Sequence, residues 1–476
     1  MFSVSVLSFV GNVFRVSISF TGTLLAVRLL GAGAFGDISA VLAHTLWLHY
    51  LCTLGLDHTL PTIDDPSLLR RVVVLGVLVA VVLGSVVCVA VVLTSGYVEG
   101  PSSVPAQLLA AQMVLSGAAA IFGGYLRATG RFAALVFKDQ VLMPVGIFLA
   151  SSLALMQFGA TTFTYALFYA LTSVVAFVFG LWLFARDVVS VPLRAAGGWC
   201  GEPARSILSS LPVALMSGLE VMIPWGVVLA ASYVLAAADV GVLAILLRFG
   251  ALCSFAALAL GPIVSGVLPT ILRRSHDDVV RVVQTSIAVS IAWSIGLFAA
   301  AWIFEPELRQ LIGVERFPVA ALALIFLGFV LDGGFGLLKF ALITKGERSS
   351  NAWMMAIAVA IALITAYVGA RAEGLVGAAY GCIAAYGALT VMRWQRAYQL
   401  LRAPALSFAD ARALSIGAVP FLLVAFWSSG STPSLYARVA GFVAAVAIGV
   451  LVLWWLRGRA IRSLLDLYSD TMAPSA

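Results

Sequence analysis

Long apolar runs alternate with short polar segments along almost the whole chain. A helix needs about 20 apolar residues to cross the hydrocarbon core of a bilayer. Fourteen stretches of the sequence meet that requirement: 8–29, 38–60, 72–94, 107–126, 136–156, 162–185, 206–230, 240–271, 282–303, 317–343, 351–370, 374–392, 412–428 and 437–456. The pattern predicts an all-α polytopic membrane protein with about 14 transmembrane helices, the eighth of which bends or ends at Pro262 and Pro269.

Composition agrees with this pattern. Hydrophobic residues make up 62% and charged residues 10% of the 476 residues, against about 45–50% and about 25% in soluble domains. This balance excludes a soluble enzyme, a disordered chain and a nucleic-acid-binding protein. The connecting segments are too short for a catalytic domain, so we expect a transporter and not an enzyme. The five cysteines form no C-x-x-C pair, so no metal site is expected.

The basic residues orient the predicted helices. With the N-terminus in the cytoplasm, nineteen of the 28 Lys and Arg residues fall in cytoplasmic segments, five fall outside and four lie within spans. Cytoplasmic loops of membrane proteins carry such an excess. The distribution therefore predicts that the N-terminus and the C-terminus are both cytoplasmic. It also explains the net charge of +7 without a polyanionic partner.

Three short segments recur at an offset of roughly 205–217 residues, an internal repeat. Gly36 and Gly241 hold the same place in the first pair, Gly130 and Gly346 in the second, and Tyr169 and Tyr386 in the third. Both copies begin on the same side, which predicts two parallel six-helix lobes around a central cavity. The predicted parts are an N-terminal lobe at 1–190, a cytoplasmic linker at 191–205, a C-terminal lobe at 206–400 and, at 401–476, two additional helices and a cytoplasmic tail.

Several of these segments resemble a known family. The stretch Arg28-Leu29-Leu30-Gly31, followed by Phe35-Gly36 and later by Leu54-Gly55-Leu56, resembles the opening signature of bacterial polysaccharide flippases. The segments 123–132 and 340–350 resemble the family's two glycine-containing turns, and 239–269 resembles its eighth helix, with Leu243 in place of the usual Tyr. The chain is thus similar to the polysaccharide, Wzx-type branch of the multidrug/oligosaccharidyl-lipid/polysaccharide (MOP) exporter superfamily.

The resemblance implies a specific activity and location. Such a flippase moves oligosaccharides linked to a polyprenyl diphosphate of the undecaprenyl type to the periplasmic leaflet of the bacterial inner membrane. The product serves surface polysaccharide synthesis, as exopolysaccharide, capsule or O-antigen. A polysaccharide polymerase and glycosyltransferases are then candidate partners, beside the membrane lipids. The alternative is a cation-coupled small-molecule or multidrug antiporter of the same superfamily.

Arg15 is the sharpest candidate for substrate binding. Ser8, Asn12, Arg15, Ser19 and Gly22 follow one another at intervals of three and four residues, so they share one face of the first helix. A polar stripe at membrane depth faces other helices or water. We therefore expect Asn12, Arg15 and Ser19 to line the cavity. The alternative is that Arg15 extends its guanidinium to the cytoplasmic surface.

Arg248, Glu220 and Asp332 are the other charged candidates within predicted spans. Arginine matches phosphate with forked donors, so Arg15 and Arg248 could together hold a diphosphate. Glu220 either neutralises Arg248 or holds a coupling proton or sodium ion, and Asp332 is a second coupling candidate. No cofactor is expected, and the sequence leaves open whether H+ or Na+ drives transport.

Overall fold

The computed structural model describes residues 2–95, 103–149, 151–152, 155–190, 201–272, 275–313, 318–430, 434–449 and 451. These residues are almost entirely helical, and no strand occurs among them. They pack into two compact units, Met1–Ala244 and Ile245–Ala476. The all-α polytopic fold class is thereby confirmed.

The helices of the first unit pack together through their apolar faces. Its helices are α1 (Phe2–Leu30), α2 (Ala32–Thr53), α3 (Leu56–Thr59), α4 (Pro66–Ser95), α5 (Ser103–Ala128), α6 (Phe132–Val136), α7 (Met143–Leu149), α8 (Leu155–Phe158), α9 (Thr162–Ser190), α10 (Glu202–Ser232) and the start of α11 (Ala237–Ala251). A π-helical segment, Phe137–Leu142, joins α6 to α7. Buried residues such as Ile121 and Phe122 on α5 hold α4, α5 and α9 together.

The second unit continues from the middle of α11. A 3-10 segment, Leu252–Ser254, separates α11 from the next helix. The remaining helices are α12 (Phe255–Leu272), α13 (His276–Ile303), α14 (Glu305–Ile312), α15 (Val319–Phe335), α16 (Leu338–Thr344), α17 (Arg348–Leu401), α18 (Phe408–Gly430) and α19 (Leu435–Gly449). The helix break lies before Pro262 and Pro269, and the backbone stays helical through both prolines until α12 ends at Leu272, three residues after Pro269. A bend at either proline stays a prediction.

The number of spans differs from the predicted fourteen. Ten helices among the described residues are long and apolar enough to cross a membrane, or eleven if α2 and the bent segment after it count as one span. The C-terminal helices α18 and α19 lie where the last two spans are predicted but are not among these ten. The chain is thus a multi-pass membrane protein, and the count of fourteen is not confirmed.

Helix α17 is two helices joined at a sharp turn. Its 54 residues would extend about 80 Å if straight, far beyond a hydrocarbon core of about 30 Å. The backbone is non-helical at Glu373 and Gly374, where φ of Gly374 is +62°. The two arms return along each other so closely that a Cβ on Gly377 would lie 1.8 Å from the Gly369 carbonyl oxygen. This hairpin occupies the two spans predicted at 351–370 and 374–392.

The lobe boundaries predicted from the repeat are not tested by this packing. Helix α10 belongs to the predicted C-terminal lobe, yet it groups with the first compact unit. The reason is local: Gly55 at the end of α2 is so close to α10 that a Cβ would lie 2.3 Å from the Ser210 carbonyl oxygen. Residues 191–200 of the predicted linker lie outside the described part of the chain.

Two turns, one in each unit, share the same backbone design. In the first, Gly130 has φ +71° and the N–H of Arg131 donates to the Leu126 carbonyl at 2.8 Å. In the second, Gly346 has φ +87° and the N–H of Glu347 donates to the Leu342 carbonyl at 2.9 Å. Only glycine enters this left-handed conformation without a steric cost. The pair Gly130 and Gly346, matched in the sequence repeat, thus has one structural role.

The residue after each of these glycines forms an ion pair with reversed polarity. Arg131 pairs with Asp187 near the end of α9 at 2.5 Å, whereas Glu347 pairs with Arg396 near the end of α17 at 2.6 Å. Each pair connects the turn to a helix far along the chain. Arg131 and Asp187 are 56 positions apart, and Glu347 and Arg396 are 49 positions apart. The repeat therefore preserves the contact while exchanging the charges.

We expect Glu347→Arg to lower the unfolding temperature of the detergent-solubilised protein, because it places two arginines together. The cost is small, about 1 kcal/mol, since both side chains are partly exposed to solvent. The double variant Glu347→Arg/Arg396→Glu should recover most of the loss. Thermal unfolding of the three proteins checks this, and a double variant no better than the single one would contradict the pairing.

Candidate functional site

Helix α2 presents a mixed polar and aromatic face. It packs against α1, α4, α5 and α10, yet Asp37, His44, Trp47 and Leu51 remain exposed. Their spacing of seven, three and four residues places them on one side of the helix. We call this set the α2 stripe.

The α2 stripe differs in chemistry from the outer face of α9. Between positions 171 and 181, the exposed side chains of α9 are all aliphatic: Leu171, Val174, Val175, Val178 and Leu181. An aliphatic face suits lipid, whereas a histidine and an aspartate in a membrane helix favour water or other polar groups. The α2 stripe therefore has the character of a water-lined surface.

Charged residues of two further helices meet beside this stripe at Tyr50. The charges of Arg15 on α1 and Glu220 on α10 both act on the Tyr50 hydroxyl, as does that of Asp57. Helix α10 runs alongside, since a Cβ on Gly218 would lie 3.5 Å from Tyr50 Cβ. Helices α1 and α10 each pack against α2, and we call the region that the three helices share around Tyr50 the trough.

Arg15 is half-buried in this trough, as are Asn12 and Ser19 on the same helix. The three do not share one environment. Asn12 is turned towards the π-helical segment, where its Oδ1 lies 3.5 Å from Gln140 Nε2, and the Ser19 carbonyl accepts the Thr23 hydroxyl at 3.0 Å. The position of Arg15 near Tyr50 suits the cavity-lining role, while the roles of Asn12 and Ser19 in binding remain predictions.

Lys138 lies elsewhere than the sequence suggests. Lys138 and Asp139 begin the fifth predicted span, which favours an anchor at the membrane surface, but Lys138 is only 1% exposed. Its ammonium donates to the Ala119 carbonyl at 3.1 Å and pairs with Asp139. The π-helical turn Phe137–Leu142 causes this, because its extra residue rotates the side chains that follow. The interfacial-anchor interpretation is therefore wrong for Lys138.

We expect Asp139→Asn to destabilise the protein more than Lys138→Met. The side chain of Lys138 is 2% exposed and that of Asp139 is 40% exposed. Loss of the carboxylate leaves a buried positive charge without a partner, at a cost of about 3–5 kcal/mol. Loss of the lysine leaves a carboxylate that water still reaches, together with one unpaired carbonyl, for about 1–3 kcal/mol. Thermal unfolding in detergent measures both, and the opposite order would contradict the burial of Lys138.

The second unit holds the other predicted charges. Arg248 is half-buried on α11, four residues before the 3-10 segment that interrupts the helix. Asp332 on α15 reaches that same segment, where its Oδ2 accepts the Ser254 hydroxyl at 2.7 Å. Carboxylates beside an interrupted helix are typical of ion sites in transporters, so Asp332 remains a coupling candidate. A pairing of Glu220 with Arg248 stays a prediction.

The two repeat glycines Gly36 and Gly241 touch each other. A Cβ on Gly36 would lie 1.7 Å from the Ala237 carbonyl oxygen, and a Cβ on Gly241 would lie 2.1 Å from the Ala32 carbonyl oxygen. The contact is reciprocal, with Ala32 and Ala237 in equivalent places. Small residues at intervals of four let membrane helices approach closely. The ends of α2 and α11 thus meet through one motif used twice.

The structure adds three residues to the candidate site that sequence analysis missed: Trp47, Tyr50 and Tyr233. Trp47 and Tyr50 lie within an apolar run, where aromatic residues usually belong to the core. Tyr233 follows the end of α10 and is 69% exposed. His44 was the signal in the sequence that could have pointed to Trp47, because the two lie three residues apart on the same face of the helix. Among the described residues, no group of three or more His, Cys, Asp or Glu side chains is arranged to hold a metal.

Comparison of the sequence with family models and with curated proteins gives no match. Solved structures do match. An inward-facing multidrug resistance MATE family transporter of the MOP superfamily is 17% identical, with a TM-score of 0.66 over 84% of this chain and 94% of that one. The lipid II flippase MurJ in an inward closed conformation is 12% identical, with a TM-score of 0.65 over 98% of this chain and 100% of that one.

A MOP superfamily transporter from Pyrococcus furiosus is a third similar structure, 14% identical with a TM-score of 0.56 over 84% of this chain and 94% of that one. Identities this low establish shared architecture only. The predicted superfamily fold is confirmed at that level, and the Wzx-type branch is not specified by it. This chain has the helical fold of the MOP superfamily transporters.

Proposed function

We propose that the chain is a flippase for lipid-linked oligosaccharides. It moves repeat units carried on a polyprenyl diphosphate from the cytoplasmic to the periplasmic leaflet of the bacterial inner membrane, for assembly of a surface polysaccharide. The observation that carries the proposal is the extent of the likeness to the lipid II flippase, which covers 98% of this chain and all of that one. The multidrug transporter covers 84%.

The two likenesses differ in coverage by about 67 of the 476 residues. The C-terminal segment 401–476, which contains α18 and α19, has a similar length, and a drug antiporter of twelve helices would lack its two helices. The shared length therefore favours the flippase. The multidrug antiporter is the second candidate function, and the likeness to the MATE transporter supports it.

The charge on the substrate gives Arg15 and Arg248 their roles. A diphosphate that crosses a low-dielectric layer without partners costs many kcal/mol. Arginine stays ionised there and offers forked donors to phosphate oxygens. In this proposal Arg15 and Arg248 hold the diphosphate, with Asn12 and Ser19 nearby, while the polyprenyl tail stays in the lipid.

Glu220 and Asp332 balance or drive this process. Glu220 acts on the same Tyr50 hydroxyl as Arg15, so its negative charge offsets the positive charge of Arg15 there. Binding of an anion then favours protonation of the carboxylate or uptake of a cation beside it. That coupling makes H+ or Na+ the candidate driving ion, with Asp332 as a second candidate carboxylate.

The test is made in cells that lack this gene. We expect polyprenyl-linked oligosaccharide to accumulate and surface polysaccharide to disappear, and a plasmid carrying the wild-type gene to restore both. Mass spectrometry of the extracted lipid would also identify the sugar. Unchanged lipid-linked sugars with normal surface polymer would overturn the flippase and favour the small-molecule antiporter.

A further inference from the structure

Three aromatic side chains lie at the neutral part of the trough. Trp47 is 38% exposed and Tyr233 is 69% exposed, and His44 lies on the α2 stripe one turn before Trp47. The rings of His44 and Tyr233 meet edge to face, with centroids 5.6 Å apart. Such exposure leaves the rings open to a ligand.

His44 and Tyr233 form a hydrogen-bonded pair. His44 Nδ1 lies 2.7 Å from the Ala40 carbonyl, which only accepts, so this nitrogen carries the proton. In the neutral ring Nε2 is then an acceptor, and the Tyr233 hydroxyl donates to it at 2.9 Å. The phenol oxygen keeps free lone pairs on an exposed side chain, so it can still accept from a bound hydroxyl group.

This pair is unlike an interfacial aromatic belt. Belt tyrosines and tryptophans place their polar atoms among lipid headgroups, whereas the Tyr233 hydroxyl is directed to a histidine of another helix. Trp182 on α9 gives the contrast within the same unit: it is 55% exposed and contacts the Phe179 ring, with Val178 and Leu181 exposed beside it. Trp47 instead lies between His44 and the Tyr50 region.

The arrangement fits the chemistry of a pyranose. A sugar ring has an apolar face of C–H groups, which packs on an aromatic plane, and a rim of hydroxyls, which requires hydrogen-bonding partners. Along α2, Trp47 lies about 4.5 Å and His44 about 9 Å from Tyr50. A diphosphate held at Arg15 beside Tyr50 would therefore place its first sugar at Trp47 and the His44–Tyr233 pair.

We propose that Trp47, His44 and Tyr233 form a binding site for the first pyranose of the lipid-linked substrate. The inference rests on the proposed function and adds to it a place for the sugar, separate from the place for the diphosphate. Stacking recognises the ring more than its substituents, so the site accepts different pyranoses. Selectivity for one sugar then depends on other residues.

The test compares two probes on the purified full-length chain. They are undecaprenyl diphosphate and undecaprenyl diphosphate carrying one N-acetylglucosamine, titrated against the protein in detergent with native mass spectrometry. We expect wild-type protein to bind the sugar-bearing probe more tightly. Trp47→Ala and Tyr233→Ala should each weaken that probe by about three- to tenfold and leave the bare diphosphate unchanged. Tyr233→Phe should have a smaller effect of the same kind.

Two controls separate the possible failures. Trp182→Ala removes a tryptophan that is more exposed than Trp47 from the outer face of α9 and should alter neither affinity. Undiminished binding of the bare diphosphate shows that each variant is folded. Equal binding of the sugar-bearing probe to wild type, Trp47→Ala and Tyr233→Ala would overturn the sugar site and leave the flippase standing. Failure of wild type to bind either probe would instead overturn the proposed function itself.

Discussion

Cells in which Arg15→Ala replaces the wild-type chain are expected to lose surface polysaccharide and to accumulate lipid-linked oligosaccharide. Arg15 acts on Tyr50 together with the carboxylates of Glu220 on α10 and Asp57 on α3, and α2 itself contains no Lys or Arg. Two charge-assisted hydrogen bonds to phosphate contribute about 3 kcal/mol or more, which corresponds to a loss of about a hundredfold or more in affinity. Quantifying both glycans in the same extract measures the effect.

A matched arginine on the same helix gives the control. Arg28 is exposed at the end of α1, so Arg28→Ala removes the same charge outside the trough and should leave export unchanged. Arg15→Lys keeps the charge but loses the planar fork, so partial export is expected. The amount of each variant in the membrane fraction must match wild type. Normal export by a stably inserted Arg15→Ala protein would show that Arg15 does not belong to the binding site.

The same experiment on Arg248→Ala shows whether Arg248 binds the diphosphate together with Arg15 or only balances the charge of Glu220. If both arginines hold the diphosphate, each single variant is severely impaired and Arg248→Lys is intermediate. If Arg248 only balances Glu220, then Arg248→Ala/Glu220→Gln should export better than Arg248→Ala alone, because the double change leaves no unpaired carboxylate.

Much of the fold follows from local sequence, because a bilayer imposes one simple length rule on every span. The rule identifies the hairpin of α17 as two spans, although its backbone hydrogen bonding runs almost without a break. It fails to locate the break at Leu252–Ser254, which follows Gly250 by two residues in a run without proline. It also fails at Lys138, because the π-helical turn that buries this residue changes the helical register.

The site is predictable only where polarity contrasts with an apolar background. Arg15, Glu220 and Asp332 stand out for that reason, and the polar face of α1 predicts which side of the helix carries Arg15. Trp47 and Tyr233 do not stand out, since aromatic residues suit lipid, core and ligand alike. Their role depends on which helices flank α2 and on the bond between Tyr233 and His44, 189 positions apart in sequence.

At the contact between Gly36 and Gly241, the two repeat positions leave no room for a side chain. The atom nearest to a Cβ on Gly36 is a backbone oxygen of Ala237, and backbone atoms cannot move aside as a flexible side chain can. One methyl group therefore forces the ends of α2 and α11 apart. Overpacking of this kind costs about 1–3 kcal/mol, and it also removes the close packing that the small residues permit.

We therefore expect Gly36→Ala and Gly241→Ala each to lower the unfolding temperature in detergent and to reduce export of surface polysaccharide. Gly33→Ala is the matched control: it lies one turn earlier on α2 and has open space around its Cβ position, so alanine there should be neutral or stabilise the helix by up to about 1 kcal/mol. Because the contact is reciprocal, Gly36→Ala/Gly241→Ala should cost less than the sum of the single changes, since the first methyl group already separates the helices. Unfolding temperatures of Gly36→Ala and Gly33→Ala that both equal that of wild type would show that α2 and α11 do not meet at these glycines.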